Sequence, residues 1–271
     1  MSYEHFYHLR EQPFSNTPDA RFFFEVDQHA EVLARLMYAV NTMKGLAVVI
    51  GDVGTGKTTL ARRMLDQLDE EHYESALLVI IHSAITAEWL LRKIASQIGI
   101  EGVADDKVTI LTQIYQRLME LHQDGRKAVV LIDEANMLQQ RELMEELRGF
   151  LNLEVPGSKL LTFILFGLPQ LDETLALDAP LVQRVAVKCR LTSLSPETSK
   201  AYIRHRLKVA GATRDIFPEP VLDQIAADSQ GVPRLINTIC DNVLLEGFLR
   251  KKEKLDVELV KDVVRDLGVG A

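Results

Sequence analysis

One octapeptide holds the plainest chemistry in the chain. Gly51-Asp52-Val53-Gly54-Thr55-Gly56-Lys57-Thr58 fits G-x-x-x-x-G-K-[ST] at every position. The apolar run Gly45-Leu46-Ala47-Val48-Val49-Ile50 precedes it and an amphipathic helical pattern follows, with Thr59 early in that helix. The loop is therefore expected to join a buried strand to a helix. Its glycines permit a tight turn in which successive N–H groups point inward at phosphate oxygens. The helix behind it contributes the positive end of its dipole. Lys57 is long enough to reach β- and γ-phosphates, and the Thr58 hydroxyl is a Mg²⁺ ligand by type.

A second constellation lies further along. Ala128-Val129-Val130-Leu131-Ile132 ends in Asp133-Glu134. Carboxylates at the carboxyl end of a buried strand face the crevice where α/β sheets bind ligands. Asp133 suits a water-mediated hold on Mg²⁺, and Glu134 suits polarising a water for attack on a γ-phosphate. Because Glu134 follows Asp133 directly, water is favoured over a substrate hydroxyl as the acceptor.

Two arginines complete the set. Arg184 closes Pro180-Leu181-Val182-Gln183-Arg184, just before the last strand pattern, and Arg234 stands in Gly231-Val232-Pro233-Arg234 at a helix start. Each carries a planar fork of N–H donors suited to phosphate oxygens, or alternatively to a surface salt bridge. Arg184 lies too near the sheet edge to fold back on its own nucleotide and is expected to serve a neighbouring subunit. Arg234 is expected to reach its own nucleotide, which would tie the position of its region to the bound ligand.

These groups need a scaffold, and the chain is long enough to supply one. Its 271 residues are 47% hydrophobic and 26% charged, with a net charge of −8. That is globular composition, not a disordered tail, a collagen-like fibre or a disulfide mini-protein. The acidic balance excludes a uniformly basic nucleic-acid coat but not a local basic patch. Residues 196–271 carry 12 basic and 12 acidic side chains, so the net charge belongs to residues 1–195. Cys189 and Cys240 sit in apolar surroundings and read as buried reduced thiols. The histidines show no metal-ligand spacing. The N-terminus lacks a basic stretch followed by an apolar one, and no run of about 18 apolar residues occurs. A cytoplasmic protein without membrane insertion is the expectation.

Short apolar runs alternate with longer helical patterns. Strands are expected at 45–50, 76–81, 128–132, 161–166 and 185–191, and helices near 28–42, 57–70, 87–98, 108–122 and 139–153. Strands apolar on both faces, alternating with helices, imply a parallel sheet covered on both sides. Trp89 reads as core on its helix. After Leu191 only helices follow, near 197–210, 219–228, 233–249 and 256–267, with Ser195-Pro196 as a start signal. The boundaries expected are an α/β domain over 1–194 and a helical domain over 195–271. Residues 1–26, rich in Phe and Pro (Phe6, Pro13, Phe14, Pro18, Phe22, Phe23, Phe24), read as an arm docked on the first domain.

With these segments in hand, the chain resembles AAA+ ATPases. It looks most similar to the ExeA/GspA type of bacterial secretion and pilus systems, relatives of the TnsC/TniB transposition ATPases. The resemblance runs through Tyr7 to Ser15, Pro18 to Phe24, Gly45 to Thr59, Leu131-Ile132-Asp133-Glu134-Ala135 and Gly231-Val232-Pro233-Arg234-Leu235-Ile236-Asn237. It implies a P-loop fold with a five-stranded parallel sheet of order 5-1-4-3-2, and a small C-terminal helical lid. ATP with Mg²⁺ would bind between subunits of a ring or filament. It assigns Lys57 and Thr58 to Walker A and Asp133 and Glu134 to Walker B. Arg184 becomes the arginine finger, Arg234 the sensor-2 arginine, and Pro13 and Phe14 neighbours of the adenine pocket.

The sequence departs from the family in two places. The fourth strand ends Phe166-Gly167-Leu168-Pro169-Gln170, where many members read Gly-Gln-Pro, so leucine replaces the polar residue that orients the attacking water. Slow hydrolysis, or substitution by Gln170, would follow. The longer secretion members continue into a membrane span and a peptidoglycan-binding domain, so a link to the envelope is expected through another protein. Three functions stand open: an oligomeric ATPase energising a secretion or pilus-type assembly, a DNA-associated transposition-type regulator, and a slow nucleotide-dependent switch. The cluster Arg250, Lys251, Lys252 and Lys254 is the candidate basic stripe for the second. Ser83 and Thr86, after the second strand, read as turn residues or as pore-facing.

Overall fold

Side chains two apart along a strand point to the same face, so a strand apolar at every position must be covered twice. A computed structural model describes residues 2–17 and 19–269 and shows this arrangement. Pro18, counted above in the arm, lies outside the described residues. Strands β1 (Leu46–Gly51), β2 (Tyr73–Val79), β3 (Lys127–Asp133), β6 (Leu161–Gly167) and β7 (Val187–Leu191) pair in parallel. A two-stranded antiparallel hairpin, β4 (Glu154–Val155) and β5 (Ser158–Lys159), intervenes between β3 and β6.

The sheet order is β2-β3-β6-β1-β7. The expected numbering did not allow for the two hairpin strands. With them left out, the five sheet strands read 2-3-4-1-5, which from the opposite edge is 5-1-4-3-2. The hairpin also shortens the helix expected at 139–153, which ends at Phe150. Pro156-Gly157, with Gly157 at φ +86, turns the chain back instead. Strand β2 begins three residues before its apolar run, because it is an edge strand whose first half is only intermittently buried.

One face of the sheet packs Leu46, Val48, Ile50, Val130, Ile132, Phe163 and Leu165 against helices Ala87–Gln97, Lys107–Gln123 and Arg141–Phe150. The alternate residues Ala47, Val49, Val129, Leu131, Ile164 and Phe166 pack against helices Asp27–Asn41 and Lys57–Leu65. Trp89 departs from its expected place: its helix buries Leu90, Leu91 and Ile94, and the tryptophan is left 38% exposed. Thr86 proves to be that helix's N-cap, its side chain accepting the Trp89 N–H. Among the described residues no helix is long and apolar enough to cross a membrane.

Two units emerge. One comprises Asp27–Val53 and Lys57–Leu191; the other comprises Met1–Val26, Gly54–Gly56 and Thr192–Ala271. The arm thus groups with the C-terminal helices, not with the sheet, because its aromatics find their apolar partners there. Tyr7, Phe14 and Phe22 share a core with Ile203, Ile236, Val243 and Leu259. Polar contacts fix the arm's path. Arg206, 6% exposed, donates from Nε to the Pro13 carbonyl at 2.6 Å, from Nη2 to the Ser15 carbonyl at 2.9 Å and from Nη1 to Tyr202 Oη at 2.8 Å. Tyr202 in turn donates to Asn237 Oδ1 at 2.9 Å, and Asn237 Nδ2 donates to Asn16 at 3.1 Å. The buried guanidinium also lies 5.0 Å from the Phe22 ring centroid. Carbonyl dipoles and an aromatic face thus surround a charge whose burial would otherwise be costly.

Replacing Arg206 with Met keeps the volume but strands the Pro13 carbonyl. Urea unfolding should register a loss of about 3 kcal/mol, accompanied by faster proteolysis of the arm. A loss below about 0.5 kcal/mol would mean that apolar burial alone holds the arm.

Candidate functional site

Parallel strands place their carboxyl ends along one rim, and the order β3-β6-β1 sets Asp133, Gly167 and Gly51 there in sequence. The loop leaving β1 turns at once into helix Lys57–Leu65. Lys57, 6% exposed, donates from Nζ to the carbonyls of Gly51 at 2.8 Å and Asp52 at 2.9 Å. Its ammonium is thus held on the loop it belongs to. Asp52 and Val53 are exposed at the tip, while Thr58 and Thr59 are half-buried in the first helical turn.

Across the intervening strand β6, the Thr58 hydroxyl donates to Asp133 Oδ2 at 2.6 Å. The other Asp133 oxygen accepts the Glu134 N–H at 3.0 Å. Asp133 is 1% exposed, so these contacts satisfy a carboxylate that water scarcely reaches. A hydroxyl and a carboxylate in contact form a hard oxygen pair of the type that Mg²⁺ takes, with the remaining positions left to phosphate and water. Among the described residues no group of three or more His, Cys, Asp or Glu converges on a metal position.

Glu134 adopts a left-handed conformation, φ 56 and ψ 35. It precedes a single 3₁₀ turn, Ala135–Met137, that carries the chain away from the strand. The corner sets the backbone of Glu134 apart from the direction of β3 and leaves its side chain half-buried. A non-glycine residue in this region is strained, and such strain gathers at functional positions.

Arg184 lies at the opposite rim. Asp178 caps the short helix Ala179–Val182 by accepting the Leu181 N–H, and Arg184 N–H donates to the Leu181 carbonyl. The chain then enters β7, where Val187 pairs with Ala47 near the start of β1. The length of β1, about 17 Å at 3.3 Å per residue, therefore separates this rim from the loop end. Arg148 holds Asp178 in place at 2.9 Å. Burial raises the carboxyl pKa of Asp178, but the Arg148 guanidinium and the Leu181 N–H outweigh it and hold the group below the usual carboxylate range. The guanidinium of Arg184 has no hydrogen-bond or ion-pair partner among the described residues.

Gly54, Thr55 and Gly56 group with the helical unit. Gly54 (φ +80) needs both its conformation and its lack of a side chain, since a Cβ there would come within 2.8 Å of Arg234 Cβ and 2.9 Å of Val232 Cγ1. Its carbonyl accepts the Arg234 N–H at 3.4 Å. Arg234 opens helix Pro233–Leu249, and its exposed guanidinium has no ion-pair partner among the described residues. Thr55 is buried, and Gly56 has φ +98. Phe14, which the resemblance sets near the adenine pocket, is 2% exposed, with its ring centroid 6.0 Å from that of Phe217. Pro13 is buried too, its carbonyl committed to Arg206.

Two features were not anticipated from the sequence. Leu168 and Gln170 follow β6 as expected, and the Gln170 side chain is exposed. The Leu168 N–H, however, is bound by a residue from the β3 corner, Asn136, whose Oδ1 accepts it at 2.9 Å. An Asn three residues after a strand-end Asp carries no sequence signal of its own. The second is the set of ion pairs within the basic cluster: Arg250 binds Glu246 and Asp262, and Lys252 binds Asp256.

Comparison with known proteins follows the same lines. A family model described as AAA domain matches residues 40–175. General secretion pathway protein A of Aeromonas hydrophila is 35% identical over 256 residues, covering 93% of this chain and 46% of that protein. The chain thus spans about half the length of that relative. Among solved structures, the Aeropyrum pernix ORC2 protein in its ADP form matches with TM-score 0.69 at 18% identity, over 93% of this chain and 71% of that one. Drosophila ORC bound to DNA matches with TM-score 0.69 at 15% identity, over 95% of this chain and 64% of that one. The Thermotoga maritima RuvB Holliday junction branch migration motor matches with TM-score 0.60 at 17% identity, over 97% and 73%. At such identities the likeness to these structures is one of fold.

The strained corner makes a thermodynamic prediction. Glu134→Gly should be more stable than Glu134→Ala by about 1 kcal/mol, because glycine alone adopts the left-handed conformation freely. Thermal melts of the two variants would reveal it; an alanine variant of equal or greater stability would mean the corner holds no strain.

Proposed function

The chain belongs to the AAA domain family, and from that premise we propose that it binds ATP with Mg²⁺ at Gly51–Thr59 and hydrolyses it to ADP and phosphate. The observation that carries this is the 2.6 Å contact between Thr58 and Asp133, which brings the loop after β1 to the acidic end of β3. On nucleotide entry, Lys57 would exchange the Gly51 and Asp52 carbonyls for phosphate oxygens, a trade of neutral acceptors for charged ones. The inward amides of Gly54–Thr58 would take the β-phosphate. Thr58 would coordinate Mg²⁺ directly, with Asp133 behind it through water, and the bound ion would neutralise charge on the phosphoryl oxygens. Glu134 would accept a proton from the attacking water.

Arg184 is proposed to act on a neighbouring subunit. Its placement at the rim away from its own loop supports this; among the described residues its guanidinium makes no hydrogen bond, and a carboxylate that feels its charge is that of Glu154, on the β4 hairpin. A guanidinium whose N–H groups are not already bonded can donate its whole fork to a phosphate. Arg234 is proposed as the matching donor in cis. Residues 195–271 would then act as a lid whose position follows the nucleotide, carrying the arm with them through Arg206 and Asn237. Each site would be complete only in a homo-oligomer, a ring or filament.

The physiological role proposed is energising or regulating a secretion- or pilus-type envelope assembly from the cytoplasm, by likeness to general secretion pathway protein A. The DNA-bound alternative is weaker on this structure. Its candidate stripe loses Arg250 and Lys252 to carboxylates, leaving Lys251 and Lys254 exposed at the turn.

Turnover per subunit should rise with protein concentration, and Arg184→Ala should reduce it by about 1,000-fold or more. Mixing Arg184→Ala with Lys57→Ala should restore measurable activity, because an intact loop from one would meet an intact arginine from the other. Concentration-independent turnover, or no recovery on mixing, would refute the shared site. No affinity for ATP with Mg²⁺ supplied would refute the function itself.

A further inference from the structure

Leu168 leaves the end of β6 without the polar side chain that this rim would be expected to carry between loop and acidic corner. The space is not empty of polar chemistry. Asn136, 6% exposed, reaches across from the 3₁₀ turn after β3 and accepts the Leu168 N–H on Oδ1 at 2.9 Å. Its own carbonyl accepts the Thr174 hydroxyl at 3.5 Å. Gly167 makes this approach possible: a Cβ there would lie 2.9 Å from Asn136 Oδ1 and 3.2 Å from Asn136 N. A Cβ there would also lie 2.9 Å from Leu171 Cδ2, so the glycine leaves room for both Asn136 and Leu171.

The consequence concerns Glu134. Its left-handed corner is anchored on one side by Asp133, which accepts both the Glu134 N–H and the Thr58 hydroxyl. Two residues on, the Asn136 clamp ties the far side of the corner to Leu168, the residue after β6. Without it, the far side of the corner would lose its direct side-chain link to the end of β6, and Glu134 would relax toward ordinary backbone conformations. We propose that Asn136 is the positioning residue for Glu134, doing from the β3 side the ordering work that the end of β6 lacks. This rests on the reading of Glu134 as the base that activates water.

Positioning and mere structural support part company in kinetics. In the full-length chain, Asn136→Ala should lower kcat about 10- to 100-fold, while affinity for a fluorescent ATP analogue stays within about threefold. Gly167→Ala, which crowds the same side chain from β6, should give the same split. If Asn136 works through Glu134, adding Asn136→Ala to Glu134→Gln should slow single-turnover hydrolysis by less than about twofold further. The Gly167→Ala variant keeps the test open if Asn136→Ala folds poorly. Unchanged kcat in both single variants, affinity falling in step with kcat, or losses that multiply with that of Glu134→Gln would each overturn the proposal. A wild-type chain that neither binds nor hydrolyses ATP would instead overturn the function on which it rests.

Discussion

A single hydrogen bond, from the Thr58 hydroxyl to Asp133, is the constraint to which the α/β unit answers. The two residues are 75 positions apart: Thr58 opens the helix that follows β1, Asp133 ends β3, and β6 runs between those two strands. For the contact to close, all three strands must run parallel, end at a common rim and share one register. Ile132 pairs with Leu165, and Leu165 with Val48, so the three strands finish nearly level. A slip of one residue would invert every side chain on the slipped strand and break both cores together. The two apolar layers thereby position a polar contact at the rim.

The rim is also where the structure accepts local cost. Asp133 is almost fully buried, and Glu134 has a backbone conformation that its side chain disfavours. Neither feature serves packing, because a strand could end in a turn without them. They make sense as a device that holds two carboxylates in different settings, one enclosed and bound on both oxygens, the next turned outward and half-exposed. Different environments give adjacent acidic groups different tasks.

Much of this was legible beforehand, for definite reasons. The loop pattern is visible because its requirements are local: glycines where the backbone turns, lysine and threonine at a fixed offset. The central strands are visible because both faces are buried, and the terminal helices because their start signals are strong, as with Ser195-Pro196. Edges were less visible. Strand β2 has one neighbour, so burial marks only part of it, and the hairpin at 154–159 follows a helical pattern whose period outlasts the helix. Trp89, read as core, is 38% exposed for a simple reason. Large aromatic side chains announce that they will be buried, or could be, but not against what.

The arm shows how far a contact can lie from any sequence signal. Pro13 and Arg206 are 193 positions apart, and nothing in either neighbourhood suggests the other. Yet the arrangement has a logic once seen. Asn237 stands three residues beyond Arg234 on one helix and binds Asn16 of the arm, while Tyr202 joins Asn237 to Arg206. The Pro-Phe-Ser turn and the Gly-x-Pro-Arg-x-Ile-Asn string, separate in the sequence, are two ends of one hydrogen-bonded network. The asparagine of the second motif holds the first, and the arginine beside it is left free. Within this unit, any displacement of the helix that bears Arg234 must either carry residues 13–16 along or break a buried network of charge-assisted bonds, and the former costs less.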